Sequence, residues 1–241
     1  MSKFIRLIII ILAASFLAAC AAVPQQTFNK QAHAKIKTIA LIQAPAPKEY
    51  IVNIVHHPGY QFGLLGGLAA AAELSSKTER FTTEAKKAGL DISKEMMTAL
   101  KTEMEKTGYQ VIMVEQAKAE ADKAERTDFL QDYPAADPKP DAYLDVVFRG
   151  VGYSAQHPST PYEPTLWMPA RLVDAQSKEV LYSTLLICGA PNPVLESTHV
   201  SPDSTYNFDT FDSLISGHTK AAEGLRAAAQ SVARQIAADL K

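Results

Sequence analysis

The sequence predicts an α+β domain: a single mixed β-sheet with two amphipathic helices packed on one face, plus a Gly/Ala-rich helical insertion after the first strand. Three observations carry this. Short apolar runs of strand length recur at residues 36–43, 109–115, 142–154, 166–173 and 180–188. Two segments, 84–106 and the C-terminal stretch, place apolar residues at helical spacing. The runs 166–173 and 180–188 are joined by Asp174, Ala175, Gln176, Ser177, Lys178 and Glu179, residue types that suit a tight antiparallel connection.

In residues 36–43, Ile36, Thr38, Ala40 and Ile42 alternate with Lys37, Ile39, Leu41 and Gln43. Both faces are apolar in the middle, as in a central strand. Pro45 and Pro47 end it, and residues 50–55 read as a short second strand or an extended loop. The first long helix is expected over 84–106, with Leu90, Met97, Leu100 and Met104 in register and Gly108 as its stop. Residues 109–115 form the next strand. Residues 116–132 are charged and alanine-rich, the pattern of an exposed helix. Prolines 134, 138 and 140 mark a loop. A strand over 142–154 follows, then a proline-rich excursion at 158–164 and the hairpin. Residues 192–209 are a long polar loop. Leu225, Ala229, Val232, Ile236 and Leu240 then step by three or four along one face of a final helix.

The N-terminus carries a different signal. Lys3 and Arg6 precede an uncharged apolar run over 7–19, and Leu17, Ala18 and Ala19 stand directly before Cys20. A basic start, a short apolar core and small residues at the cleavage point are those of a secretory signal peptide. The cysteine makes it resemble a bacterial lipobox. That resemblance implies cleavage before Cys20 and a diacylglycerol on its thiol. An uncleaved transmembrane anchor and an ordinary cleaved signal are the other readings open. The organisation expected is therefore a signal peptide over 1–19, a lipidated tether over 20–35 and one periplasmic domain over 36–241. Two or more acyl chains give stable attachment, where one alone is marginal. Ala21, rather than Asp, follows the cysteine; under the enterobacterial sorting rule this implies the outer membrane, with the domain facing the periplasm.

Of 241 residues, 47% are hydrophobic and 21% charged, ordinary for a globular chain. The net charge is −2 and becomes about −4 once Lys3 and Arg6 are removed. A weakly acidic domain with no basic cluster is a poor nucleic-acid binder. Lipidation of Cys20 leaves Cys188 as the second of two cysteines, within an apolar run, with the character of a buried small hydrophobe.

The order of elements, with Lys37-Thr38-Ile39-Ala40-Leu41-Ile42, a helix ending in Thr107-Gly108-Tyr109, then Gln110-Val111-Ile112-Met113-Val114, Ala142-Tyr143-Leu144-Asp145 and the Arg171-to-Leu181 strand–turn–strand, resembles the small periplasmic α+β domain shared by the curli-secretion lipoprotein, the N-terminal domain of the Tol-system β-propeller protein, and lipoprotein activators of peptidoglycan synthases. The resemblance covers most of 36–241. Lys178 stands where those proteins carry a turn glycine, and the insertion over 50–81 is unlike their compact members.

No Gly-x-Ser-x-Gly elbow, His-Glu-x-x-His, Cys-x-x-Cys or phosphate loop is present in the sequence. His56 and His57 are adjacent and so diverge in regular structure; the other histidines are scattered. Neither enzyme activity, a metal nor a cofactor is expected. The segment that stands out is 59–74. Between Phe62 and Ala72 every residue is uncharged, and Gly63, Gly67 and Ala71 are spaced by four, a smooth strip if helical. Three readings are open: a helix buried on its own sheet, a self-association or partner-docking helix, and a membrane-inserting segment. The candidate contact residues are Gly59, Phe62, Gly63, Leu64, Gly66, Gly67, Leu68 and Ala71. The function expected is a lipid-anchored, non-catalytic binding, scaffold or assembly accessory protein of the envelope. A subunit of an oligomeric outer-membrane export assembly is the alternative, and a small periplasmic hydrolase the third. The expected partners are a membrane, through the N-terminal lipid, and an envelope protein or a second copy of the chain. The loop at 158–164, flanked by Tyr153, Tyr162 and Trp167, is a second candidate surface, with pinning of the loop to the domain as its other reading.

Overall fold

The computed structural model describes residues 23–114, 126–190 and 195–241. Cys20 and the signal segment lie outside them. The described residues form an α+β fold with one mixed sheet. Its elements are β1 (Thr38–Ile42), β2 (Ile51–Ile54), α1 (Gly63–Lys87), α2 (Ile92–Lys106), β3 (Gln110–Val114), β4 (Ala142–Val146), β5 (Gly150–Ala155), β6 (Glu163–Asp174), β7 (Val180–Cys188), β8 (Thr198–Val200), α3 (Phe211–Ser216) and α4 (His218–Asp239).

The long strand β6 organises the sheet. Along one edge it pairs antiparallel with β5 through its first half and with β4 through its second. Along the other it pairs antiparallel with β7 over nearly its whole length. β1 lies parallel to β4 and β2 parallel to β5, so β1 and β2 run end to end in one column. β3 is parallel to β1 on its free side, and β8 is parallel to β7. β1 is thus a central strand, as its two apolar faces predict.

Side-chain alternation sorts the strands into two faces. Ile39, Leu41, Leu144, Leu166, Met168, Leu172 and Leu186 join the core under the helices. Phe81 and Ala85 of α1, Met96 and Leu100 of α2, and Leu225, Val232 and Ile236 of α4 complete it. Fully burying one such side chain is worth about 1.5–3 kcal/mol. The opposite face carries Ala40, Ile42, Tyr143, Leu185 and Ile187, and irregular chain covers it.

The structure corrects five expectations, one of them the polar loop over 192–209, which contains β8 paired to β7 and a 3-10 turn over Ser204–Tyr206. The helix predicted over 84–106 is two helices. α1 starts 21 residues earlier, at Gly63; Gly89 breaks the run at φ +68° and Asp91 caps α2 by accepting from Lys94 N at 3.0 Å. Capping chemistry, hidden inside an otherwise helical pattern, wins over the periodicity. The strand expected over 142–154 is divided into β4 and β5, although Val147 N and Arg149 N still donate to Pro169 and Trp167 of β6. The exposed helix expected over 116–132 is not formed where it is described. Residues 126–132 contain no helix, and Arg126 and Leu130 are half-buried against the sheet; 115–125 lie outside the described residues. Finally, 23–35 do not hang free as a tether. Val23 and Phe28 are buried, and Gln26 forms an antiparallel bridge with Ser183.

Asp145 explains the fit of residues 126–133. It sits mid-strand in β4 with no exposure. Its Oδ1 meets Arg126 Nη1 at 2.5 Å. Its Oδ2 accepts from Leu130 N at 2.9 Å and Tyr133 OH at 3.3 Å. Arg171 Nη2 lies 4.0 Å from the same oxygen and donates to Leu130 O and Tyr133 OH, both at 2.7 Å. The charge is paired and its acceptor sites are used, the condition under which a buried carboxylate is tolerated.

Candidate functional site: an apolar helix end

β2 ends at Ile54, but Val55 N and His56 N continue the pairing to Ala155 O and Gln156 O. His57 then stops the strand. Its Nδ1 accepts from Gly59 N at 3.1 Å, capping a single 3-10 turn over Pro58–Phe62 with Pro58 at its start. The chain reverses through Gly63 at φ +65° and enters α1.

The turn folds back onto the first turns of α1 through two glycines. A Cβ on Gly66 would lie 2.4 Å from Gly59 O, and one on Gly59 would lie 2.8 Å from Ala70 Cβ. Both contacts are too short for any other residue.

α1 runs antiparallel to β2. Thr82 Oγ1 accepts from Tyr50 N at 2.8 Å, and Thr78 Oγ1 from Val52 N at 2.9 Å. β2 runs out two residues later, so the start of α1 overhangs the sheet. Burial follows: Leu74, Thr78, Phe81, Thr82 and Ala85 are buried, whereas nothing between Tyr60 and Ala69 is. Phe62 is 75% exposed, Leu64 79% and Leu65 80%; Tyr60 and Leu68 are also exposed. At 100° per residue, Leu65 and Leu68 are turned away from the face that Leu74, Phe81 and Ala85 bury, whereas Leu64 stands in line with buried Thr82 and is exposed because the domain does not reach it.

Gly63, Gly67 and Ala71 do line up, as their spacing predicts. They continue the packed face past the edge of the sheet, and a Cβ on Gly63 or Gly67 would meet nothing within 4 Å. The reading of this strip as a surface buried on the domain's own sheet is therefore overturned. Of the candidate residues, Gly59 and Gly66 face inward against each other, while Phe62, Leu64 and Leu68 face solvent. Leu65 and Tyr60 are exposed as well and are not among the candidate residues read from the sequence.

No family model matches the chain, and no curated protein matches it in sequence.

The polar surroundings lie at the base of this end. Glu73 bridges Lys77 Nζ at 2.6 Å and His57 Nε2 at 3.4 Å, and the hydrogen bond from Lys77 holds its carboxyl below the usual range. Lys77 also reaches Tyr162 OH at 3.5 Å. His56 turns the other way and stacks on His157, ring centroids 4.8 Å apart. The adjacent histidines diverge as expected. Among the described residues no group of three or more His, Cys, Asp or Glu could hold a metal.

The second candidate surface resolves differently. Tyr153 and Tyr162 are buried, and Tyr153 OH donates to Ala221 O of α4 at 3.1 Å. Trp167 packs with Val23, Phe129 and Ile187 on the opposite face. These aromatics pin the loop and its strands to the domain. Cys188 is buried, and burial pushes its thiol up to about 12, which disables it as a nucleophile at neutral pH. A depression of about 410 Å³ between residues 47–51 and 148–151 is open to solvent and edged by Lys48, Glu49 and Arg149; no buried polar group converges on it.

Proposed function

We propose that this chain is a lipid-anchored, periplasm-facing lipoprotein of the outer membrane that acts by binding, as an accessory or scaffold for an envelope machine. The observation that carries the reading is the uncharged apolar end of α1 and the turn before it, where Tyr60, Phe62, Leu64, Leu65 and Leu68 are all exposed to solvent. Soluble domains rarely leave such a group uncovered without a contact to make. The lipobox-like Leu17-Ala18-Ala19-Cys20 supports the anchor, and the resemblance of the strand–helix order to periplasmic lipoprotein domains supports the compartment.

Two measurements test this. Radiolabelled palmitate should enter the wild-type chain and not Cys20→Ala, which should also lose membrane retention. A photo-crosslinking amino acid at Leu65 should give adducts in cells, to protein or to lipid, whereas one at Gln176, on the exposed turn after β6, should not. Equal or absent adducts at both positions would sink the assignment of the binding surface.

A further inference from the structure

The geometry points to the bilayer surface itself as the occupant of the apolar helix end. This rests on the reading of Cys20 as the lipid anchor. Two independent features of the fold meet at one end of the sheet.

The first is the direction in which the chain leaves the domain. Gln26 pairs antiparallel with Ser183 of β7. Going backwards in sequence from Gln26, Gln25 accepts from Thr184 Oγ1 at 2.6 Å, and Val23 packs on Leu185 and Ile187. The N-terminal segment therefore climbs toward the C-terminal end of β7. Cys20 precedes Val23 by three residues, a reach of about 10 Å at most.

The second is the position of α1. The register runs Ile54 to Ala155, Ser154 to Glu163, and Leu166 to Cys188. The C-terminal ends of β2, β5 and β7 thus share one end of the sheet. α1 overhangs β2 at that same end. Three strand spacings, about 14 Å, separate the β2 and β7 columns. The point at which the described chain leaves the domain, Val23, and the tip of α1 therefore lie at the same end of the sheet, while the turn at residues 174–179 marks the opposite end.

The polarity of α1 fits this placement. Beyond the point where the helix meets the domain, its outward positions are Ser75, Ser76, Glu79, Arg80 and Thr83, as expected for a face in water. Before that point, from Phe62 to Ala72, there is no charged or hydrogen-bonding side chain. A helix end projecting into water would show the reverse pattern. The overhang from Gly63 to Ala69 is about 9 Å long, short enough to stay within the headgroup region and the edge of the acyl chains. Tyr60, at the foot of the overhang, has the amphipathic ring favoured at that boundary. No helix among the described residues is long and apolar enough to cross a membrane, so the contact is a shallow peg. Lipid and peg together fix the orientation of the domain, with the 174–179 turn pointing away from the bilayer.

The test uses the full-length acylated protein in vesicles of phosphatidylethanolamine and phosphatidylglycerol. Leu65→Cys and, separately, Gln176→Cys are labelled with an environment-sensitive fluorophore; Cys188 is buried and stays unlabelled. The expected result is a several-fold rise and blue shift at position 65 on vesicles, strongly quenched by nitroxide-labelled lipid, with less than a 1.5-fold change at 176. If the protein floats with vesicles but position 65 is unchanged or unquenched, the peg is refuted and the anchor stands. If it does not float, or carries no fatty acid, the anchor reading itself fails. If position 65 brightens with protein concentration in the absence of lipid, the occupant is a second copy and the proposal is overturned. Leu64→Ser and Leu68→Ser, added to the Leu65→Cys protein, should abolish the quenching difference without lowering the melting temperature, since neither is buried.

Discussion

Asn at position 145 should cost this domain about 3–5 kcal/mol. Asp145 has no exposure, and its two oxygens serve distinct donors: Arg126 on one, Leu130 N and Tyr133 OH on the other. The amide of Asn offers one acceptor and one donor. Whichever way it turns, an N–H faces either the Arg126 guanidinium or the Leu130 amide, and the charge opposing two arginines is gone. Removing one member of a buried pair typically costs about 3–5 kcal/mol, because the partner stays buried without compensation. Arg126 is already strained in this respect, with its Nε buried and unpaired.

For a domain of this size each kcal/mol lowers the melting temperature by roughly 2–4 °C, so a fall of about 10 °C is expected. Urea unfolding followed by Trp167 fluorescence reads it directly, since Trp167 packs beside Phe129 of the clamped segment. The double variant Asp145→Asn with Arg126→Met should recover about half of the loss, because it removes the stranded cation. A loss under 1 kcal/mol, or no recovery in the double variant, would refute the clamp and leave 126–133 as a loosely laid cover.

Asp174 accepts from Ser177 N at 2.8 Å and Gln176 N at 2.9 Å and pairs with Lys35, which together hold its carboxyl down to about 2 from an ordinary 3.8. A depressed folded value stabilises above pH 4 and is lost as pH falls through 2; Asp174→Ala should therefore be less stable than wild type at pH 7, with the gap narrowing between pH 4 and 2 in urea titrations. Gly67→Ala should raise stability by about 0.5–1 kcal/mol, as it fills open space on a helix. Gly66→Ala should instead push the 3-10 turn off α1 and speed hydrogen exchange over 58–70. Cys188 should resist Ellman's reagent at pH 8 in the native state and react within seconds once unfolded, because burial holds its thiol near 12.

The sheet was legible because its strands are written in alternation. Ile39 and Leu41 point to one core and Ala40 and Ile42 to the other, and that is visible in six letters. The hairpin of β6 and β7 was equally plain. What was hidden are features decided by contact. Gln25, Gln26 and Pro24 look like a tether, yet Gln26 finds the free edge of β7 at Ser183 and the segment is docked. Residues 126–132 look like a solvated helix, yet Asp145, thirteen or more residues away, supplies partners that outweigh helix propensity. An aspartate inside an apolar strand was the available sign that something polar must cover it.

The helix end shows a subtler failure of the same kind. A strip of small residues suggests close packing, and Gly63, Gly67 and Ala71 are indeed in line with the buried face. Close packing needs a surface beneath, and the pairing of this edge of the sheet stops at His56. Where α1 begins relative to that edge depends on the His57 cap and on the two glycines that fold the turn back, none of which periodicity reports. With α1 beginning at Gly63, Leu64, Leu65 and Leu68 stand in open solvent, which removes the buried reading from the three left open by the sequence. Their exposure is thus a consequence of chain length and capping, whereas the absence of any charge among them is a property of the sequence alone. A helix end fixed in space by packing, and kept apolar where packing does not require it, is built to meet something other than water.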